Sequence, residues 1–401
     1  LGRAALAEDA AVEAGPESLR EAVTALLTGM TRYRSYVDEN GADAQDRALI
    51  AAIVEGARPK LRSARVLEHL AAGLVQPASP AVLAFALRFQ QVSGALLAKA
   101  QEDTAGFRWT PYLAGNDVGA EPAEATIEAD EANQFLALRR PADMTLSTSH
   151  DTKRSEDARM RLAAISHLPG DFAGLVRAAD GLEAAAGVSP RWRWYIAQSA
   201  LAIWGAEPAA LQARLAEHVQ KAMREAKEVT YWTRPVAAAE EPALAFAAAL
   251  CAHWNETGPA ALGRLLEVGA ALSLTQVALK CLMPGFPDIY RGCEAPYYTL
   301  TDPDSRLPVD WDQLQVATAA EGFAGDKARL TRALLQLRTE ERAFLDAADA
   351  RMRLDNDAIS MVRTREGRRL VCMQSTGPQA PLGETLWQSQ YGGRTLTIGW
   401  Q

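Results

Sequence analysis

Cysteine is scarce in this chain of 401 residues, and its few copies are scattered. Cys251, Cys281, Cys293 and Cys372 share no Cys-x-x-Cys spacing, which excludes a structural metal knot or a dithiol pair and fits a reducing, cytoplasmic compartment. His69, His167, His218 and His253 also stand without ligand spacing, so neither a metal nor another cofactor is expected. No apolar run is read as long enough to cross a bilayer, and the N-terminus lacks a signal-peptide pattern, so no membrane partner is expected. Positive charge is short. Lys and Arg number 42 against 50 Asp and Glu, for a net charge of −8, which disfavours nucleic acid and anionic membrane as partners. Internal repeats and low-complexity tracts are absent. The chain opens on Leu1 rather than Met, and we read it as a processed or partial product.

What is present is mostly helix-forming. Hydrophobic residues make up 48% and alanine is abundant, so a mainly α protein of two or three domains is expected. Leu19, Ala22, Val23, Leu26, Leu27 and Met30 recur at helical spacing behind Pro16, and Asp43 to Ala57 repeats the pattern. Ser79-Pro80 and Ser189-Pro190 read as N-caps followed by proline at the first helical position. Further helices are expected over 155–166, 208–227 and 325–345, and Ala260 to Leu282 reads as long, apolar and buried. Met144 to Ser149 reads as a short buried strand, and Met283 to Gly292 reads as a turn feeding a short strand that ends at glycine. The last fifty residues carry β signals: 359–364 and 369–373 flank Arg365-Glu366-Gly367 as a hairpin, and 395–398 is a further strand.

One stretch carries chemistry. Ser147 to Asp157 reads Ser-Thr-Ser-His-Asp-Thr-Lys-Arg-Ser-Glu-Asp. An aspartate at a strand end can stabilise positive charge on a sugar ring, and the histidine beside it can bind a sugar hydroxyl. The alternative is a helix N-cap, with Asp151 or Thr152 capping the helix that follows. Trp192, Trp194 and Tyr195, the pair Tyr231-Trp232 beside Arg234, and Trp109 with Tyr112 are aromatic faces suited to stacking on sugars or to core packing.

Gly285 to Glu294, Gly-Phe-Pro-Asp-Ile-Tyr-Arg-Gly-Cys-Glu, resembles the last barrel strand of the α-amylase family, which follows a His-Asp strand in the same order. The flavour of both motifs is closest to the maltooligosyl trehalose synthases. Asp302 to Asp310, Arg88 to Gln91, Ala98 to Ala105, Tyr33 to Val37 and Lys221 to Lys227 resemble further segments of that family, over a span from Tyr33 to Trp311. The resemblance implies the C-terminal part of a (β/α)8 barrel with large helical insertions and a small C-terminal β domain. Residues 1–140 would be a helical insertion, 141–165 the His-Asp strand, 166–258 a second insertion, 259–345 the last barrel helix and strand, and 346–401 the β domain. It implies a retaining glucosylmutase that moves the reducing-end α-1,4 link of a maltooligosaccharide to an α,α-1,1 link. Asp151 would be its transition-state-stabilising carboxylate. His150 and Tyr290 would bind substrate. Lys153 and Arg154 would meet substrate or brace Glu156 and Asp157, and Lys99, Glu102 and Asp103 would lie near the reducing-end glucose.

The first 140 residues contain nothing like the strand that carries the family's nucleophile. The chain is therefore expected to lack both nucleophile and acid/base glutamate, to be inactive alone, and to need the N-terminal barrel portion in the same polypeptide or as a second chain. Two other readings stand beside this one: another hydrolase of the α-amylase family, or a non-catalytic helical module that binds α-glucan or a partner.

Overall fold

The computed structural model describes residues 14–205, 207–355 and 358–401. The first thirteen residues of the expected helical domain lie outside them. The described chain divides into two compact units between Gly106 and Phe107.

The first unit is helical. α1 (Pro16–Thr28) takes Pro16 at its first position, where the missing N–H would have no partner anyway. α2 (Ala44–Ala57) is capped by Asp43, whose carboxylate accepts from the Asp46 N–H at 2.7 Å. α3 (Arg65–Val75) lies within the region expected to be helical, although no start or end for it is read above. α4 (Pro80–Leu97) is capped by Ser79 as expected. Leu26, Leu67, Leu70, Leu74 and Ala86 are buried between these helices, at roughly 1.5–3 kcal/mol for each fully buried leucine. Past Leu97 the helix widens into a π-helical run, Ala98–Ala105.

The second unit holds α5 (Ala129–Leu138), β1 (Met144–Thr145), α6 (Glu156–His167), α7 (Pro169–Asp180), α8 (Pro190–Ile203), α9 (Pro208–Ala226), α10 (Ala237–Thr257), α11 (Ala260–Leu282) and β2 (Phe286–Pro287). After these come α12 (Trp311–Val316), α13 (Gly322–Glu340), α14 (Arg342–Ala347) and five strands, β3 (Asp349–Asp355), β4 (Ala358–Arg365), β5 (Arg368–Ser375), β6 (Glu384–Tyr391) and β7 (Arg394–Trp400). These strands form an antiparallel sheet in the order β3-β4-β5-β7-β6. The β4–β5 hairpin turns on Glu366 and Gly367, both at positive φ, as a two-residue primed turn requires.

α11 is the spine of this unit. Leu262, Leu265 and Val268 on its first half pack among α6 to α10. Leu274, Val277, Cys281 and Leu282 on its second half pack against α13, α14 and the sheet. The helix is therefore buried nearly all round, which is why its apolar residues show no single stripe. By length and composition both α11 and the helix Pro80–Arg108 could cross a membrane, contrary to the expectation from sequence; α11 spends that apolar surface on the core.

The protein is mainly α with a small antiparallel sheet at its C-terminus, as expected. The described residues form no barrel; beyond the C-terminal sheet they hold two parallel strands of two residues each, Met144 beside Phe286 and Thr145 beside Pro287. The strand expected over 144–149 is thus shorter, and it is not buried: Met144 is 61% and Leu146 52% exposed. A buried strand needs cover on both faces, and here one face has none. Arg139 ties the pair together, donating to the Pro284 carbonyl at 2.6 Å, to the Asp143 carbonyl at 3.1 Å and to the Thr145 hydroxyl. Gly285 turns the chain into β2 with φ at 110°, where a β-carbon would strike Arg139 and the Asp143 carbonyl.

Gly285→Ala therefore has no relaxed solution, being wrong both in backbone and in space. It is expected to lower stability by roughly 2–3 kcal/mol in urea unfolding. An unchanged midpoint would remove this junction from the account.

Candidate active site

Parallel pairing sends the loops after β1 and β2 out of the same sheet edge. The first loop holds His150 and Asp151, and both are exposed. Among the described residues no hydrogen bond or ion pair engages the His150 ring or the Asp151 carboxylate. The loop itself is fixed. The Asp151 N–H donates to the Ser149 hydroxyl at 3.1 Å, and the Thr152 hydroxyl donates to the Ser149 carbonyl at 3.0 Å. Asp151 does not cap α6. Ser155 occupies that position without a capping bond of its own, and the first helical N–H, of Glu156, goes to the Thr148 hydroxyl at 2.8 Å. The N-cap reading of Asp151 and Thr152 is thereby overturned.

The second loop closes on the first. The Ser305 hydroxyl donates to the His150 carbonyl at 3.0 Å, and the Tyr297 hydroxyl donates to the Ser305 carbonyl at 3.2 Å. The Tyr297 ring lies 6.4 Å from that of Tyr290, which is half-buried. Tyr290 and the His150–Asp151 loop are therefore parts of one connected surface. Ser155 joins the loops a second time, donating to the Tyr297 carbonyl at 2.5 Å and accepting from the Thr299 N–H at 2.9 Å.

Beneath the loops lies a buried charge cluster. Glu156 and Asp157 open α6, where the helix dipole favours anions. Lys327 of α13, fully buried, donates to Glu156 at 2.8 Å, to Asp157 at 2.6 Å and to the Ala295 carbonyl at 3.3 Å. Lys280 of α11 donates to Glu156 and to the Ser147 hydroxyl, each at 2.8 Å. Asp157 also accepts from the Tyr297 N–H at 2.8 Å. Burial disfavours an ionised Glu156, but Lys327 and Lys280 outweigh it and draw the carboxyl down to about 2. Burial pushes Asp157 up, against the pull of Lys327. Burial would lower the Lys327 ammonium, yet the two carboxylates hold it above its ordinary value. Neither lysine is anticipated above. Lys280 left a signal, as the one charge in the stretch from Val268 to Leu282; Lys327 left none.

Glu156 and Asp157 take their ion pairs from Lys280 and Lys327, while Arg154 turns to other groups. Arg154 is buried and donates to the Asn116 carbonyl at 2.8 Å, and the buried Lys153 ammonium sits 4.8 Å from the centre of the Phe107 ring. Lys99, Glu102 and Asp103 lie on the π-helical run of the other unit. There Lys99 pairs with Asp103, and Glu102 accepts from the Tyr33 hydroxyl at 2.8 Å. Trp192 and Tyr195 are core residues, so the packing reading holds for them.

One face of α9 holds the second loop from outside. Arg214 grips Asp304 and the Tyr298 carbonyl, His218 meets the Thr301 hydroxyl at 3.1 Å, and Lys221 donates to the Asp302 carbonyl at 2.5 Å. Burial keeps His218 well below its ordinary pKa, so it is neutral here. Among the described residues no group of three or more His, Cys, Asp or Glu could hold a metal ion.

No model of a protein family matches the chain. It is 33% identical over 359 residues to a protein of Mycobacterium tuberculosis described as a maltooligosyl trehalose synthase, covering 84% of this chain and 44% of that one. The chain thus spans less than half the length of the curated relatives it matches. The structure of maltooligosyltrehalose synthase from Arthrobacter ramosus is similar at a TM-score of 0.72 and 28% identity, covering 89% of this chain and 47% of that one. A maltooligosyl trehalose synthase structure from Sulfolobus tokodaii reaches a TM-score of 0.78 at 24% identity, a likeness of fold alone, over 94% of this chain and 53% of that one.

Removing Lys327 would strand two buried carboxylates. Lys327→Met is expected to cost about 3–5 kcal/mol in urea unfolding, and a cost within the error of the measurement would show the cluster to be incidental. The sign of the acid dependence follows from Glu156. Its carboxyl falls from 4.5 in the free residue to about 2, so its stabilisation is present above pH 4.5 and is lost as pH drops through about 2. Unfolding midpoints measured across that window should fall less steeply in Glu156→Gln than in the parent. Equal slopes would contradict the assignment.

Proposed function

We infer, from a chain that belongs to the maltooligosyl trehalose synthase family and resembles its C-terminal portion, that it supplies one of three carboxylates in a retaining glucosylmutase site. The substrate is a maltooligosaccharide. Its reducing-end α-1,4 link becomes an α,α-1,1 link, which leaves a trehalosyl end. The reading rests chiefly on one observation. Asp151 and His150 stand exposed and unengaged at the C-terminal edge of two parallel strands, on a loop whose backbone is held from several sides. A carboxylate that its own fold leaves unpaired is free to face developing positive charge.

The chemistry proceeds in two displacements. A nucleophilic aspartate forms a bond to the anomeric carbon as the glycosidic C–O bond breaks, and a glutamate gives the leaving glucose its proton. That glucose then attacks through its anomeric hydroxyl, the glutamate takes the hydroxyl proton, and the aspartate leaves. Both groups belong to the remainder of the enzyme. Asp151 stabilises the charged ring in each step, His150 holds a ring hydroxyl and Tyr290 walls the site. Lys153 and Arg154 act from beneath, by shaping the loop. No cofactor enters, and the location is cytoplasmic, in keeping with four free, buried cysteines.

The remainder of a (β/α)8 barrel is the partner this reading needs. Three features support it. The parallel pair has free outer edges. Met144, Leu146 and Phe286 offer water more than half of their surface. A cavity of about 410 Å³ runs beside β1, lined by Leu146, Met160, Leu272, Leu279 and Met283 and by Gln276, whose side-chain oxygen has no partner.

Incubated with maltopentaose, the 401-residue chain should give no trehalosyl product, and joining it to the N-terminal barrel portion should restore turnover. In the joined protein Asp151→Asn should lower kcat by on the order of a hundredfold or more without shifting the unfolding midpoint. Product from the chain alone, or full activity in the variant, would overturn the proposal.

A further inference from the structure

The rest of α9 and the turn after it form a structure that the mutase reading does not use. Tyr231 to Arg234 closes as a tight turn, the Tyr231 N–H donating to the Arg234 carbonyl at 3.3 Å and the Arg234 N–H to the Tyr231 carbonyl at 3.2 Å. Trp232 stands at the tip, 51% exposed. Large aromatics are ordinarily buried, and Trp232 is not, yet its ring is held by specific contacts. Its indole N–H donates to Glu225 at 2.9 Å, and the Arg224 guanidinium lies 5.1 Å from the ring centre.

Arg224 is itself immobilised. It binds the buried Glu240 through two hydrogen bonds of 2.8 Å, and Glu240 also accepts from Gln220 at 3.1 Å and from the Thr230 hydroxyl at 2.6 Å. The Thr230 hydroxyl in turn takes the Val236 N–H at 3.0 Å, which pins the far side of the turn. Five side chains thus fix the orientation of one exposed ring. Nothing in the fold requires that investment, since the ring covers no core. A pre-oriented ring loses little conformational entropy when something flat and apolar settles on it. The next cation back along the same helix is Lys221, which holds the loop that reaches His150.

We propose that Trp232 is an auxiliary stacking platform for a neutral sugar ring, taking one glucose unit of the α-glucan chain at a distance from the bond exchanged. The choice of α-glucan rests on the function proposed above; the platform itself does not. The apolar face of a pyranose matches the open face of the indole, and the Glu225 carboxylate at its edge is a polar group suited to a hydroxyl. Trp311 is the natural control, because it is 58% exposed and has no such supports.

The test is calorimetric titration of the 401-residue chain with maltoheptaose, followed in parallel by tryptophan fluorescence. Trp232→Ala should weaken binding by about fivefold or more, Trp232→Phe should recover part of the loss, and Trp311→Ala should bind as the parent does. Unfolding midpoints should be unchanged in all three. The readout is binding rather than trehalosyl product, so failure of the mutase reading would leave this result standing. Equal affinity in Trp232→Ala and the parent would overturn the platform. So would Trp232 fluorescence that ignores maltoheptaose and responds only when the N-terminal barrel portion is added, which would make the ring a protein contact.

Discussion

The Lys327 ammonium, enclosed between Glu156 and Asp157, is the constraint on which the rest of the second unit turns. Three charges buried together are stable only as a set. Their geometry joins elements far apart in sequence: the start of α6, the loop after β2 and the middle of α13. Lys280 adds α11 and the end of β1 through Ser147. The cluster therefore fixes the base of both site loops from within and leaves their tips to other groups. Polar groups so deep in a protein seldom raise stability over an apolar core of the same shape, but they admit one arrangement where apolar packing admits several. For a site whose chemistry depends on where a carboxylate points, that single arrangement is what matters.

The tips are held from the other side. Arg214, His218 and Lys221 recur at helical spacing on one face of α9, and each meets a different residue of the loop from Tyr298 to Asp304. That loop passes its order on through Ser305 to the His150 carbonyl. Asp151 is thereby positioned by backbone contacts alone, and its side chain is left open. The same helix carries Arg224 and Glu225, which support Trp232. One amphipathic helix thus serves both the loop proposed to lie beside the reacting sugar and the ring proposed to hold a more distant one.

Much of this was legible in the residue order, for identifiable reasons. Ser79 and Ser189 marked helix starts because capping is local chemistry, and Glu366-Gly367 marked a hairpin because only a primed turn suits it. β3 and β6 were missed because their partners supply the pattern. β3 carries four charged residues in seven, and β6 places Gln388 and Gln390 on its solvent side, so neither reads as a strand until β4 and β7 lie beside it. The His150–Asp151 motif was legible as a run of unusual residues. Its supporting lysines were not, because they come from 120 or more positions downstream. The burial expected of Met144 and its neighbours rested on a complete sheet, and only two strands of one lie within the described residues.

The central claim is that the Asp151 carboxylate, unpaired in the chain by itself, faces a glucose ring whose anomeric bond is being exchanged. A crystal structure of the chain joined to the N-terminal barrel portion, with a maltooligosaccharide bound, measures this directly. The account predicts an Asp151 carboxylate oxygen at about 2.6–3.2 Å from a hydroxyl of the ring at the exchanged bond, with the His150 ring on a neighbouring hydroxyl. An Asp151 turned to solvent or tied into an ion pair, with the sugar bound elsewhere, would contradict it.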